Sequence, residues 1–225
     1  MDSSSAPNPL TASIGRHGLP HAYAVRSQRE RLREAMVRVA AAKGYEETTV
    51  TDVVEVAGVS RATFHEFFED KAACFLEAYD AVIDVLIAHV GAAYEAADGE
   101  PWPARMTAAL RALVELLAVE SDVARMAMVE VSLAGEDARG RYREALGRFT
   151  PMVEQGRAYA GADRRLPPDT ARFAIGGAAS MIFDEIRAGR GPDLERLLPD
   201  LSFAVLMPYL GPEATEEEMR RLGLG

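Results

Sequence analysis

Apolar and polar residues follow a helical rhythm along most of the chain. Leu32, Ala35, Met36, Val39 and Ala42 recur at three- and four-residue spacing, with Arg29, Glu30, Arg33, Glu34 and Arg38 on the opposite face, until Gly44 stops the run. Thr49 precedes Asp52 by three residues, in the form of a capping box, and opens a short helix through about Val56. Ala57-Gly58-Val59 turns the chain. Ser60 then caps a third helix over 61–68, and Glu69-Asp70 lead into a fourth that starts at Lys71. Phe75, Tyr79, Val82, Ile83, Leu86 and Val90 stripe that fourth helix until Asp98-Gly99. Pro101 and Pro103 open another, and further helices are expected over 121–134, 137–159, 169–188 and 193–210. They are separated by Gly135, by the stretch 161–168 and by the stretch 189–192. No segment alternates as a strand does between hairpin signals. The expected fold is all-α: an N-terminal three-helix helix-turn-helix domain followed by a C-terminal helical bundle.

Composition divides the chain further. Residues 1–25, with Pro7, Pro9, Gly15, Gly18 and Pro20 among Ser and Asn, read as a flexible arm; 26–70 form the helix-turn-helix domain, 71–211 the bundle and 212–225 a tail. With 225 residues, 48% of them hydrophobic, the chain can bury a substantial core. Its single cysteine, Cys74, cannot form an internal disulfide, which fits a reducing, cytoplasmic setting. No apolar run reaches membrane-spanning length, so no membrane partner is expected. The four histidines, His17, His21, His65 and His89, form no metal-ligand pairing, and no Gly-rich phosphate loop is present, so no metal, cofactor or catalytic residue is assigned.

The net charge of −10 argues by itself against binding a polyanion. Its distribution reverses that inference. Between Arg16 and Tyr45, seven basic residues face only Glu30 and Glu34, a local charge of +5, so the rest of the chain sums to −15. The turn also has the residue types a helix-turn-helix needs: Ala57 permits close packing, Gly58 can reverse the chain, Val59 plugs the core and Ser60 caps the third helix.

Gly44-Tyr45-x-x-Thr48-Thr49-Val50, Ala57-Gly58-Val59-Ser60-x-x-Thr63-Phe64 and Phe68-x-x-Lys71 together resemble the DNA-binding domain of the TetR family of bacterial transcriptional regulators, over about residues 26–80. Gly15-Arg16-His17-Gly18-Leu19-Pro20, Gln28-Arg29-Glu30-Arg31 and Pro208-Tyr209-Leu210-Gly211 are similar to a subgroup of that family. The resemblance implies that the third helix enters the major groove of double-stranded operator DNA, with Arg61 toward guanine or phosphate, Ala62 close to backbone or a thymine methyl, and Thr63 toward phosphate. His65 stands where the family usually has a phosphate-contacting Tyr. Lys71 matches the family's phosphate-binding lysine, and Thr49, Thr51 and Ser60 add donors at helix N-termini. Glu66 reads either as an exposed helix residue or as an acceptor from cytosine. Arg16 and Arg26 are placed to enter an adjacent minor groove.

One such head offers few base contacts, which calls for a homodimer on a pseudo-palindrome. The resemblance implies an interface made by the last two long helices, where Gly176, Gly177 and Ser180 allow close approach and Leu194, Leu198, Leu201 and Val205 form a stripe; burial within the same subunit is the alternative. Trp102, Met106, Met126, Glu130, Tyr142, Phe149 and Met181 are the candidates for binding an unidentified small-molecule effector, with plain core packing as the alternative and, for Glu130, a solvent-facing position. The functional expectation is a ligand-responsive repressor. An adaptor that kept the fold but lost DNA binding is the alternative reading, motivated by His65 and Glu66, and a bundle enzyme is the remaining one.

Overall fold

The computed structural model describes residues 28–160 and 165–225, so the arm, with Arg16, His17, His21 and Arg26, lies outside the described residues. Helix α1 (Gln28–Lys43) buries Leu32, Ala35, Met36, Val39 and Ala40, while Ala42, assigned to the same stripe, is exposed. Helix α2 (Val50–Ala57) begins with the expected capping box: the Thr49 hydroxyl accepts from the Asp52 amide at 3.2 Å, and the Thr49 amide donates to Asp52 Oδ2 at 2.7 Å. It ends at Gly58, whose φ of 63° is the left-handed conformation required for the turn. Helix α3 (Arg61–Phe67) starts at Ser60, whose side chain accepts from the Thr63 amide at 3.0 Å. Phe64 and Phe68, both buried, fix α3 against the other two helices.

Asp70 caps α4 (Lys71–Ala96), which runs from the head into the bundle and packs antiparallel to α5 (Trp102–Val119). Next comes α6, built as Ser121–Arg125, a π-helical turn Met126–Glu130 and a last turn Val131–Leu133. The 137–159 helix expected from the sequence is broken. In its place stand α7 (Glu136–Gly147), α8 (Thr150–Glu154) and a 3₁₀ turn, Gln155–Tyr159. Pro151, in the first turn of α8, cannot donate the bond that would continue α7. Helix α9 (Thr170–Arg187) is followed by a 3₁₀ segment, Gly191–Leu197, and α10 (Leu198–Leu210), with Pro199 in the first turn of α10 marking the change.

The C-terminal segment departs from a tail. Residues Pro212–Arg221 form α11, which buries Thr215 and Met219; the Thr215 hydroxyl donates to the Gly211 carbonyl at 2.6 Å. Among the described residues no strand occurs, and none of their helices is long and apolar enough to cross a membrane. One continuous core extends from Leu32, Met36 and Phe64 in the head to Leu194, Leu201 and Leu206 in the bundle. Each fully buried aliphatic or aromatic side chain in it contributes about 1.5–3 kcal/mol.

Candidate functional site

The head presents a graded surface. Arg61, Ala62 and His65 are exposed on α3 together with Glu66, and Arg61 makes no ion pair among the described residues. Thr49 and Thr51 are exposed at the start of α2, and Ser60 and Thr63 lie at the start of α3. The expected DNA-facing residues of α2 and of the start of α3 thus lie at the two helix N-termini, while His65 stands in the last turn of α3. Three of them are already engaged: the Thr49 hydroxyl donates to Asp52 Oδ2 at 2.6 Å, and the Ser60 and Thr63 hydroxyls lie 2.9 Å apart. Asp52 also accepts from Lys43 Nζ at 2.7 Å; that ammonium, with Thr49, lowers its carboxyl from the ordinary 3.8 to about 2.

Lys71 has a second role that its sequence position does not show. Its ammonium donates to the carbonyls of Tyr45 and Glu46, at 2.9 and 3.2 Å, and sits 4.3 Å from the Tyr45 ring centroid. Two of its three donors thus tie α4 to the loop between α1 and α2. The Tyr45 ring meets Phe75 edge-on at 4.8 Å, a further anchor of the same loop on α4. Arg29 reinforces the α1–α4 contact with a two-pronged bond to Glu77, at 2.7 and 2.5 Å.

Glu130 is the third anchor. It is 0% exposed, so neither the solvent face nor an effector cavity holds it. Its Oε2 accepts from the Tyr45 amide at 2.8 Å. Arg125 Nη2 approaches Oε1 at 2.9 Å, yet Oε1 has no partner in hydrogen-bond geometry, so that contact is Coulombic rather than directional. The carboxylate comes from the π turn of α6, and Ala127 and Met128 of the same turn line a cavity in the bundle. A widened turn of this kind re-aims side chains within a helix.

That cavity has a volume of about 90 Å³. Tyr79, Ile83, Leu86 and Val90 of α4 form one wall; Met106, Leu110 and Leu113 of α5, Tyr142, Phe149, and Ile175 and Ile182 of α9 complete much of the rest. Of the effector candidates, Met106, Tyr142 and Phe149 line it, and the other four do not. Trp102 instead anchors the start of α5: its indole Nε1 donates to the Met152 carbonyl at 2.9 Å, and its ring meets Tyr209 at 5.1 Å. Met126 is fully buried within the core, and Met181 packs half-buried against its edge. Tyr79, Leu110, Leu113 and Ile175 were missed because a helical apolar stripe looks the same whether it faces a cavity or solid core.

The interface stripe also needs correction. Leu194, Leu198, Leu201 and Val205 are 0–4% exposed and packed into their own subunit, so a second chain cannot reach them. The outward faces are different. On α9 they are Phe173, 81% exposed, with Gly176, Gly177 and Ser180; on α10, Met207 is exposed beside the half-buried Phe203 and Ala204.

A capped helix-turn-helix joined through a shared helix to an all-α bundle with an apolar cavity is the architecture of a DNA-binding regulator. Residues 32–78 match the profile of the bacterial regulatory proteins of the TetR family, so the head is a helix-turn-helix of the kind found in TetR-family transcriptional regulators. No curated protein matches the sequence. Among solved structures, the fatty acid degradation regulator FadR of Bacillus halodurans has a similar fold, with a TM-score of 0.67 at 15% identity over 80% of this chain and 95% of that one. FadR of Bacillus subtilis, solved in complex with stearoyl-CoA, gives a TM-score of 0.67 at 17% identity over 81% of this chain and 98% of that one. A TetR-family regulatory protein from Rhodococcus RHA1 gives 0.57 at 20% identity over 80% and 97%. The family is non-enzymatic.

Proposed function

We propose that the chain is a ligand-responsive repressor that binds a pseudo-palindromic operator as a homodimer and leaves it when a small apolar or amphiphilic effector enters the bundle. The observation that carries this reading is the Glu130 contact. A single π turn lines the cavity through Ala127 and Met128 and holds the loop before α2 through Glu130. Helix α4 runs the same course, from Lys71 at the loop to Tyr79 and Leu86 at the cavity. An effector that spreads the cavity walls displaces both, changes the separation of the two α3 helices in a dimer, and shifts the population away from the DNA-competent state.

In this reading Arg61, Ala62, Thr63 and His65 read the groove or its edges, while Thr49, Thr51 and Ser60 position the head on phosphates. Lys71 contributes its remaining donor there and otherwise fixes the loop. Dimerisation uses the exposed faces of α9 and α10, with Phe173 as anchor and Gly176, Gly177 and Ser180 allowing close approach. The stearoyl-CoA bound to Bacillus subtilis FadR supports an acyl-chain effector for a fold of this shape.

Selection from random duplex DNA tests the reading. It should yield two inverted half-sites about one helical turn, ~34–36 Å, apart, or a multiple of that spacing. Arg61→Ala should weaken binding to the selected site and, if the side chain contacts phosphate, flatten the slope of log K against log salt by about 1. Failure to enrich any sequence would favour the adaptor reading.

A further inference from the structure

The cavity adjoins a second depression on the surface, a cleft of about 250 Å³ between α4 and α7, lined by Asp80, Asp84, Arg141, Glu144 and Arg148. The two spaces share Tyr79, Ile83 and Ala145 in their walls. Arg141 pairs with Asp80 at 2.8 Å and Arg148 with Asp84 at 2.7 Å, so the cleft is spanned by two ion pairs. At the junction stands Tyr79, 1% exposed, whose hydroxyl is buried and has no hydrogen-bond partner. A buried phenol without a partner is costly, and an otherwise apolar cavity supplies none.

Resting on the effector reading above, we propose that Tyr79 is the polar contact of the effector site: its hydroxyl donates to the neutral carbonyl of an acyl ester or thioester. The acyl chain fills the cavity beyond it, among Leu86, Met106, Leu110 and Phe149, and the head group leaves through the Asp80–Arg141 and Asp84–Arg148 cleft. A neutral carbonyl fits better than a free carboxylate on grounds of charge. The cleft holds two arginines against three acids, both arginines are already paired, and a second carboxylate beside Asp80 would be repelled. The Tyr79 phenol is protonated at neutral pH, and burial, with Tyr142 and Asp80 nearby, pushes its titration further up, so it serves as a donor.

The test compares ligands that differ only in the carbonyl. Titrations of the full-length protein use 1-decanoylglycerol against 1-O-decylglycerol, and decanoyl-CoA against S-decyl-CoA. The wild type should prefer the carbonyl member of at least one pair by about fivefold, the worth of one ordinary hydrogen bond; the tighter-binding pair distinguishes an oxoester from a thioester effector. Tyr79→Phe should abolish that preference while leaving the affinity for the carbonyl-free member and the helical content unchanged, and Tyr142→Phe should keep the preference. No carbonyl preference in the wild type, its persistence in Tyr79→Phe, or its loss in Tyr142→Phe instead would overturn the assignment. If none of the four ligands binds, it is the effector-cavity reading itself that fails.

Discussion

Replacing Glu130 with alanine isolates the link between cavity and head. The wild-type carboxylate is fully buried, accepts from the Tyr45 amide at 2.8 Å and lies 2.9 Å from Arg125 Nη2. Glu130→Ala leaves that part-buried amide without its acceptor, a cost of about 1–3 kcal/mol. The loss of Arg125 adds little, because its side chain is 42% exposed and re-solvates; the larger penalty for breaking an ion pair buried on both sides does not apply. A net loss of about 2 kcal/mol lowers the melting temperature by roughly 4–8 °C for a chain of this size. Glu130→Gln keeps a carbonyl oxygen for the Tyr45 amide, so its loss should stay below about 1 kcal/mol. Thermal unfolding of the three proteins measures this order. Operator titrations with and without effector then measure coupling, ordinarily 5- to 150-fold in such systems, which should shrink in Glu130→Ala and be largely restored in Glu130→Gln. An alanine variant with wild-type stability and full effector response would refute the link.

Other consequences arise from the same geometry. A Cβ at Gly156 would sit 2.5 Å from Trp102 Cη2 and 2.8 Å from Tyr209 Cγ, so Gly156→Ala should cost about 1–3 kcal/mol by overpacking and alter the emission of Trp102, the single tryptophan. The Asp52 carboxyl, held at about 2 against an ordinary 3.8, contributes stability that is complete above pH ~4 and is lost as pH falls toward 2. Acid titration of Asp52→Asn should therefore show a shallower decline in stability over that window, and an unchanged slope would contradict the pairing. Phe173→Glu should place charges on the exposed face of α9 and give a monomer in sedimentation that binds a full operator no better than a half-site.

The head was legible because its signals are local. Thr49 and Asp52, Gly58, and Ser60 with Thr63 act across three or four residues, and the observed caps use those same atoms. The bundle was legible only as helices. Glu130 finds its partner 85 residues away, and no spacing rule connects it to Tyr45. Leu194, Leu198, Leu201 and Val205 form a true helical stripe, but a stripe specifies burial and not which chain provides it. Helix α11 was read as tail because only Thr215 and Met219 are buried in a segment dominated by acidic and basic residues. The cavity was invisible for the opposite reason, since its lining differs from ordinary core only in the space between side chains.

The basic stretch and the acidic body also take on separate meanings. Seven positive charges gathered before Tyr45 favour approach to DNA, while the strongly negative remainder disfavours indiscriminate association. Sequence preference then has to come from the contacts of the helix-turn-helix rather than from bulk charge.

In the proposed mechanism, cavity occupancy and operator binding are coupled. The most direct measurement is operator affinity of the wild-type protein, at fixed salt, across a titration of decanoyl-CoA and 1-decanoylglycerol. A saturable, at least fivefold loss of affinity is expected with one of them, with the reciprocal loss of that ligand's affinity in the presence of operator. Tight ligand binding that leaves operator affinity unchanged would contradict it.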